Sequence, residues 1–228
     1  MKKPVLLALL ALLAASLACN LVTQGSGSSG NNDTSKVLFK DDFSSTSSGW
    51  DQVNDTDGTT DYTKDAYQIQ INTIGKSGNG MSYWASPNLG SQMPADLRIE
   101  VDATKAGGPD DNDFGVICRY TTSNDTPSFY QFMATSDGFV GIMLINGSDQ
   151  KMISSDKLQP SDLVKQGEAS NHVRADCIGN NLTLYVNGKK AASATDSTLT
   201  GGDVGLIAGT YSTPGTDILF DNFMVYKP

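Results

Sequence analysis

The chain has 228 residues and a formal net charge of −9, with 25 Asp+Glu against 16 Lys+Arg. So acidic a balance argues against a nucleic-acid partner, whose phosphates need a basic face. All the acids but Glu100 and Glu168 are Asp, a residue of turns and short loops rather than exposed helices, so composition alone points to an all-β protein with many Asp-bearing loops.

In chain order, Lys2 and Lys3 precede an uncharged apolar run from Val5 to Ala15, and Ser16-Leu17-Ala18 leads into Cys19. That is the order of a secretory signal. The run is shorter than the roughly 20 residues a membrane span needs. A small residue followed by cysteine resembles a lipobox, here with Ser16 where leucine is usual. The resemblance implies cleavage after Ala18, a lipid on Cys19, and an exported protein held to the membrane at the cell envelope. Residues 19–36 are rich in Gly, Ser, Asn and Thr and bury too little to fold. They read as a tether of roughly 20 Å mean reach. Residues 37–228 are left as one large β-domain. Cleavage removes Lys2 and Lys3, so the mature chain carries 16 − 2 = 14 basic against 25 acidic residues, a formal charge of −11.

Period-two alternation then recurs. In 65–72, Tyr67, Ile69 and Ile71 share one face; in 97–104, Leu97, Ile99, Val101 and Ala103 do. In 172–177, Val173, Ala175 and Cys177 oppose His172, Arg174 and Asp176; in 182–187, Leu182, Leu184 and Val186 oppose Thr183, Tyr185 and Asn187. Gly179-Asn180-Asn181 joins the last two as a hairpin, and Ser136-Asp137-Gly138 joins 128–135 to 139–145. Asn146-Gly147 and Asn187-Gly188 suit tight turns at positive φ. Twelve to fourteen strands are expected in all, with one short helix near Ser161–Gln166 capped by Ser161. So many short strands imply a sandwich or barrel. Trp50 is expected in the core. Tyr83 and Trp84, adjacent on a strand, must point to opposite faces.

Several stretches carry a family resemblance: FKDDFSSTSSGW, RIEVDA, FGVICRY followed by FYQFMATSDGFVGI, NHVRADCIGNNLTLYVNGKKAA, and GDVGLIAGTYSTPGTDILFDNFMVY. From residue 39 to the end, the chain resembles the concanavalin A-like lectin/glucanase superfamily. The hairpin from Arg174 to Gly188 is similar to that of laminin G-like modules and of the bacterial domain named for 3-keto-disaccharide hydrolases. The resemblance implies a jelly roll of two antiparallel sheets with the first and last strands paired. It leaves open a lectin, an adhesin, a polysaccharide-binding module or a glycosidase.

The residues narrow that choice. Family 16 glycosidases of this superfamily carry Glu-x-Asp-x-(x)-Glu on one strand, with nucleophile and acid/base about 5 Å apart. Glu100-Val101-Asp102 begins the pattern, but Thr104 or Lys105 stands where the second glutamate belongs. His172 is the one histidine, and no Gly-x-Ser-x-Gly elbow is present. The reading is therefore a recognition module for a glycan, against a 3-keto-glycoside hydrolase or a purely structural envelope lipoprotein. Arg174, Asp176, Tyr185 and Asn187 on the polar hairpin face, with an outward Arg119, supply the planar donors, acceptors and ring that sugars need. Trp84 is a second candidate. Ca²⁺ is the plausible metal: Asp110, Asp111 and Asp113 follow Gly107-Gly108-Pro109 in a loop, and such loops offer hard oxygen ligands. Asp41, Asp42 and Asp221 offer an alternative site if the terminal strands pair. After export, Cys19 is consumed by lipid and the even pair Cys118 and Cys177 remains. Both alternate with inward residues, so a disulfide between them is expected.

Overall fold

The computed structural model describes residues 37–75, 80–90 and 93–228; Cys19 and the tether lie outside the described residues. Two antiparallel sheets face each other as a jelly-roll sandwich. The nine-stranded sheet runs β14 (Lys189–Thr195), β13 (Asn181–Val186), β12 (Ser170–Ile178), β6 (Leu97–Gly107), β16 (Thr216–Tyr226), β4 (Ala66–Ile71), β3 (Gly58–Thr63) and β2 (Val53–Asn54), with β1 (Val37–Asp41) also paired to β16. The first and last strands therefore pair, as the resemblance implied. The seven-stranded sheet runs β10 (Asp149–Met152), β9 (Phe139–Asn146), β8 (Thr126–Thr135), β7 (Asn112–Ser123), β15 (Asp203–Thr210) and β5 (Met81–Ala85), with β11 (Gln159–Pro160) on β9.

The alternating strands bury the faces expected of them. Ile69, Ile71, Leu97, Ile99, Val101, Val173 and Leu184 of the first sheet meet Phe114, Val116, Tyr130, Phe132, Ile142 and Leu206 of the second in one core. Trp50 is buried as expected, among Phe43, Tyr67 and Phe223. Its indole N–H donates to Asp41 Oδ2 at 2.9 Å, which satisfies the one polar atom of a ring otherwise suited to the dry interior. Cys118 on β7 and Cys177 on β12 form a disulfide across the two sheets, with Cα atoms 6.9 Å apart.

Two expectations fail. Residues 161–166 form turns, not a helix, and the described residues hold only one short 3-10 turn, Thr46–Ser48. The Asn171 side chain takes both backbone groups of Lys165, and Gly167 turns at a φ of 71°, so the segment ends before a second helical turn can form. The described residues hold sixteen strands rather than about twelve to fourteen. β2 and β11 have two residues each, too few for any periodicity to show.

The third departure shapes the surface. Strict alternation past Cys118 sends Arg119 outward and Tyr120 inward. Instead the pairing of β7 with β8 shifts between Cys118 and Thr121, and that of β15 with β7 shifts between Asp203 and Val204. Arg119 takes up the extra residue in the left-handed region, at a φ of 56°. A bulge of this kind re-aims its neighbours. Arg119 is 3% exposed, and Tyr120 emerges on the outer face of the seven-stranded sheet beside Phe129.

Candidate glycan-binding surfaces

The sequence candidates fall in separate places. Arg174, Asp176 and Tyr185 lie together on the outer face of the nine-stranded sheet. There β12 and β6 oppose Asp176 to Arg98, Arg174 to Glu100 and His172 to Asp102, three rungs of complementary charge. Arg174 donates to Asp176 through Nε (2.9 Å) and Nη2 (2.6 Å) and stacks 4.2 Å above the Tyr185 ring. Arg98 Nε donates to the same carboxylate at 3.0 Å. Burial pushes Asp176 up, but the two guanidiniums outweigh it and hold its carboxyl below the usual range. His172 lies 3.6 Å from Glu100 and 2.8 Å from Asp102; those carboxylates raise its imidazole against partial burial. Asn222 closes the row on Asp102 Oδ2 at 3.0 Å. These charges are already spent on one another.

Asn187 and Arg119 do not join that face. Asn187 sits at a turn with a φ of 50°. Its side chain accepts from the His172 N–H and donates to Leu163 O and Asn171 Oδ1. Arg119 is not outward: its guanidinium donates to the carbonyls of Leu199 (2.7 Å), Gly179 (2.6 Å) and Ala95 (3.3 Å).

The acidic loop does not converge either. Lys105 takes Asp110, Ser212 takes Asp111 Oδ2, and Gln131 donates to Asp113 Oδ2 at 2.7 Å. Burial pushes the Asp113 carboxyl up to about 6, against its hydrogen bonds to Tyr211 and Gln131. Asp41 serves Phe43, Ser48 and Trp50; Asp42 serves Ser44 and Asp221 the Asn222 N–H. Among the described residues, no group of three or more His, Cys, Asp or Glu side chains is placed to hold a metal ion.

Trp84 leads to a different surface. Tyr83 packs on the main core and Trp84 on the outer face of the seven-stranded sheet, opposite as expected. Ile117, Phe129, Ile145 and Ile207 form a second apolar layer there, with half-buried Trp84, Tyr120 and Met143 over it. Trp84 and Tyr120 flank Phe129 at ring separations of 5.8 and 6.2 Å. Beside Tyr120 opens a cleft of about 480 Å³, lined by Asn88, Gly90, Tyr120, Thr121, Thr122 and Asp203 among others. Gly202 lets the chain pass against the backbone of Arg119 and Tyr120: at its φ of 144° any Cβ would strike the Tyr120 carbonyl. That passage sets Asp203 at the cleft. Asp203 is half-buried, and its Oδ1 lies out of solvent with no hydrogen-bond partner among the described residues. An aromatic strip beside hydroxyls, an amide and a half-buried carboxylate can stack a sugar's C–H face while it pairs with the ring's hydroxyls.

No protein-family model matches the chain, and no curated protein matches it. Its fold has many solved likenesses. The carbohydrate-binding module CBM66 from Bacillus subtilis superposes with a TM-score of 0.59 at 16% identity, over 78% of this chain and 96% of that one. A Bacillus subtilis protein of unknown function with a galectin-like fold gives 0.58 at 11% identity, over 84% and 96%. The Bacillus licheniformis β-glucanase gives 0.56 at 12% identity, over 83% and 97%. At such identities the likeness shows the fold alone, and that fold is the concanavalin A-like jelly roll.

Proposed function

We propose that this protein is a glycan-recognition module displayed outside the cytoplasm, tied to the membrane by a lipid on Cys19, and that it holds sugar on the outer face of the seven-stranded sheet. The observation that carries the reading is the pair of half-buried rings Trp84 and Tyr120 over buried Phe129, beside the cleft at Asp203. On the nine-stranded face, by contrast, Arg98 and Arg174 are paired with Asp176, His172 with Asp102, and Glu100 lies 3.6 Å from His172. The names of the structural likenesses include a carbohydrate-binding module and glucanases, which supports a sugar ligand at the level of the fold.

Retention of the full chain, in detergent, on a panel of insoluble polysaccharides tests this reading. Trp84→Ala and Tyr120→Ala should each weaken retention roughly thirtyfold, the about 2 kcal/mol expected of a central aromatic contact. Tyr185→Ala should leave it unchanged. Wild-type retention in all three variants, with far-ultraviolet dichroism intact, would move the ligand off this face. The anchor is tested separately: Cys19→Ser should abolish lipid labelling and leave an uncleaved precursor. A Cys19→Ser protein that still partitions into detergent like the wild type would refute the lipid.

A further inference from the structure

We infer that the cleft takes an uncharged glycan and turns polyuronates away, and that Asp203 makes the choice; this rests on the preceding placement of the sugar. The lining of the cleft contains one charged side chain among the described residues, the Asp203 carboxylate, and no Lys, Arg or His. The Oδ1 of that carboxylate lies out of solvent with no hydrogen-bond partner among the described residues. It stands apart from Asp176, Asp110 and Asp113, each committed to a cation or an amide. A half-buried carboxylate at the lining of a cleft can accept from hydroxyls that a ligand brings. Thr121 and Thr122 bring hydroxyls and Asn88 an amide, so the site pairs with further sugar hydroxyls without supplying a positive charge.

A sugar carboxylate in the same cleft meets Asp203 with no cation in the described lining to offset the repulsion. The chain's net charge of −9 adds a longer-range bias against polyanions. Two like charges brought together without a counter-charge are the repulsive element by which a site rejects a competitor. Asn is the discriminating replacement: it keeps one acceptor oxygen and the shape but removes the charge.

The experiment measures retention of the full chain in detergent on β-glucan, mannan and galactan, each beside its C6-carboxylated derivative, at low and high salt. The wild type should hold at least one neutral polymer at least about tenfold more tightly than its carboxylated form. Asp203→Asn should reduce that ratio by about tenfold, chiefly by admitting the carboxylated form. Asp156→Asn, which removes an exposed charge outside the cleft, should leave the ratio as it was. Equal retention of neutral and carboxylated polymers by the wild type overturns the inference while the glycan reading stands, as does a ratio that Asp203→Asn does not move. Retention only of a cationic glycan such as chitosan, lost in salt, also overturns it. Absence of retention on every polymer removes the site and its selectivity together.

Discussion

Reduction of the Cys118–Cys177 bond should lower the stability of the domain by about 4 kcal/mol, the chain-entropy value for a closed loop of this size. The loop spans 59 residues and joins β7 of one sheet to β12 of the other. Its loss therefore frees the two halves of the sandwich from each other in the unfolded chain. For a domain of this size, the melting temperature should fall by roughly 8 to 16 °C. Both cysteines are fully buried, so the reductant acts only through opening of the fold. Cys118→Ala with Cys177→Ala gives the same comparison without reductant, with a small added cost for lost volume. Two free thiols titrating in the denatured, unreduced protein, or an unchanged melting temperature on reduction, would contradict the bond.

Arg119→Met should cost about 3 kcal/mol, because the hydrogen bonds of one buried guanidinium to three carbonyls are lost at once. Ala95, Gly179 and Leu199 come from three separate connections, and the planar fork of one guanidinium serves all three. Arg119→Lys should recover little of the loss, since an ammonium lacks that fork. Urea unfolding midpoints at constant slope measure both. A cost within about 0.5 kcal/mol, the size usual for a surface substitution, would return Arg119 to the outward position that strict alternation gives it.

Arg119 also shows where the sequence stops being readable. β4, β6, β12 and β13 alternate cleanly because one face is dry and the other wet, so their strands, their hairpin and the inward Cys177 follow from the residues. The seven-stranded sheet carries apolar residues on both faces. Val116-Ile117, the run from Ile142 to Ile145, and Leu206-Ile207 place one neighbour in the main core and the next in the outer layer. A strand apolar on both faces loses its period-two signal, and a bulge inside it leaves no mark in hydrophobicity. Those doubled apolar pairs were the available sign of a second apolar surface. The cleft left no sign, because Asn88, Tyr120 and Asp203 come from three distant segments that only the pairing of β15 with β7 and β5 brings together. The polar hairpin face was legible residue by residue. Its use was not, since whether Arg174 is free or bound to Asp176 depends on Arg98 and Glu100 across the strand.

Amide chemical-shift mapping with a retained neutral oligosaccharide locates the sugar on one sheet or the other without any substitution. Shifts are expected at Trp84, Asn88, Tyr120–Thr122 and Asp203 that saturate together, with His172, Arg174 and Tyr185 unmoved. Saturating shifts centred on Arg174 and Tyr185, with Trp84 and Asp203 silent, would contradict the placement of the sugar on the seven-stranded sheet.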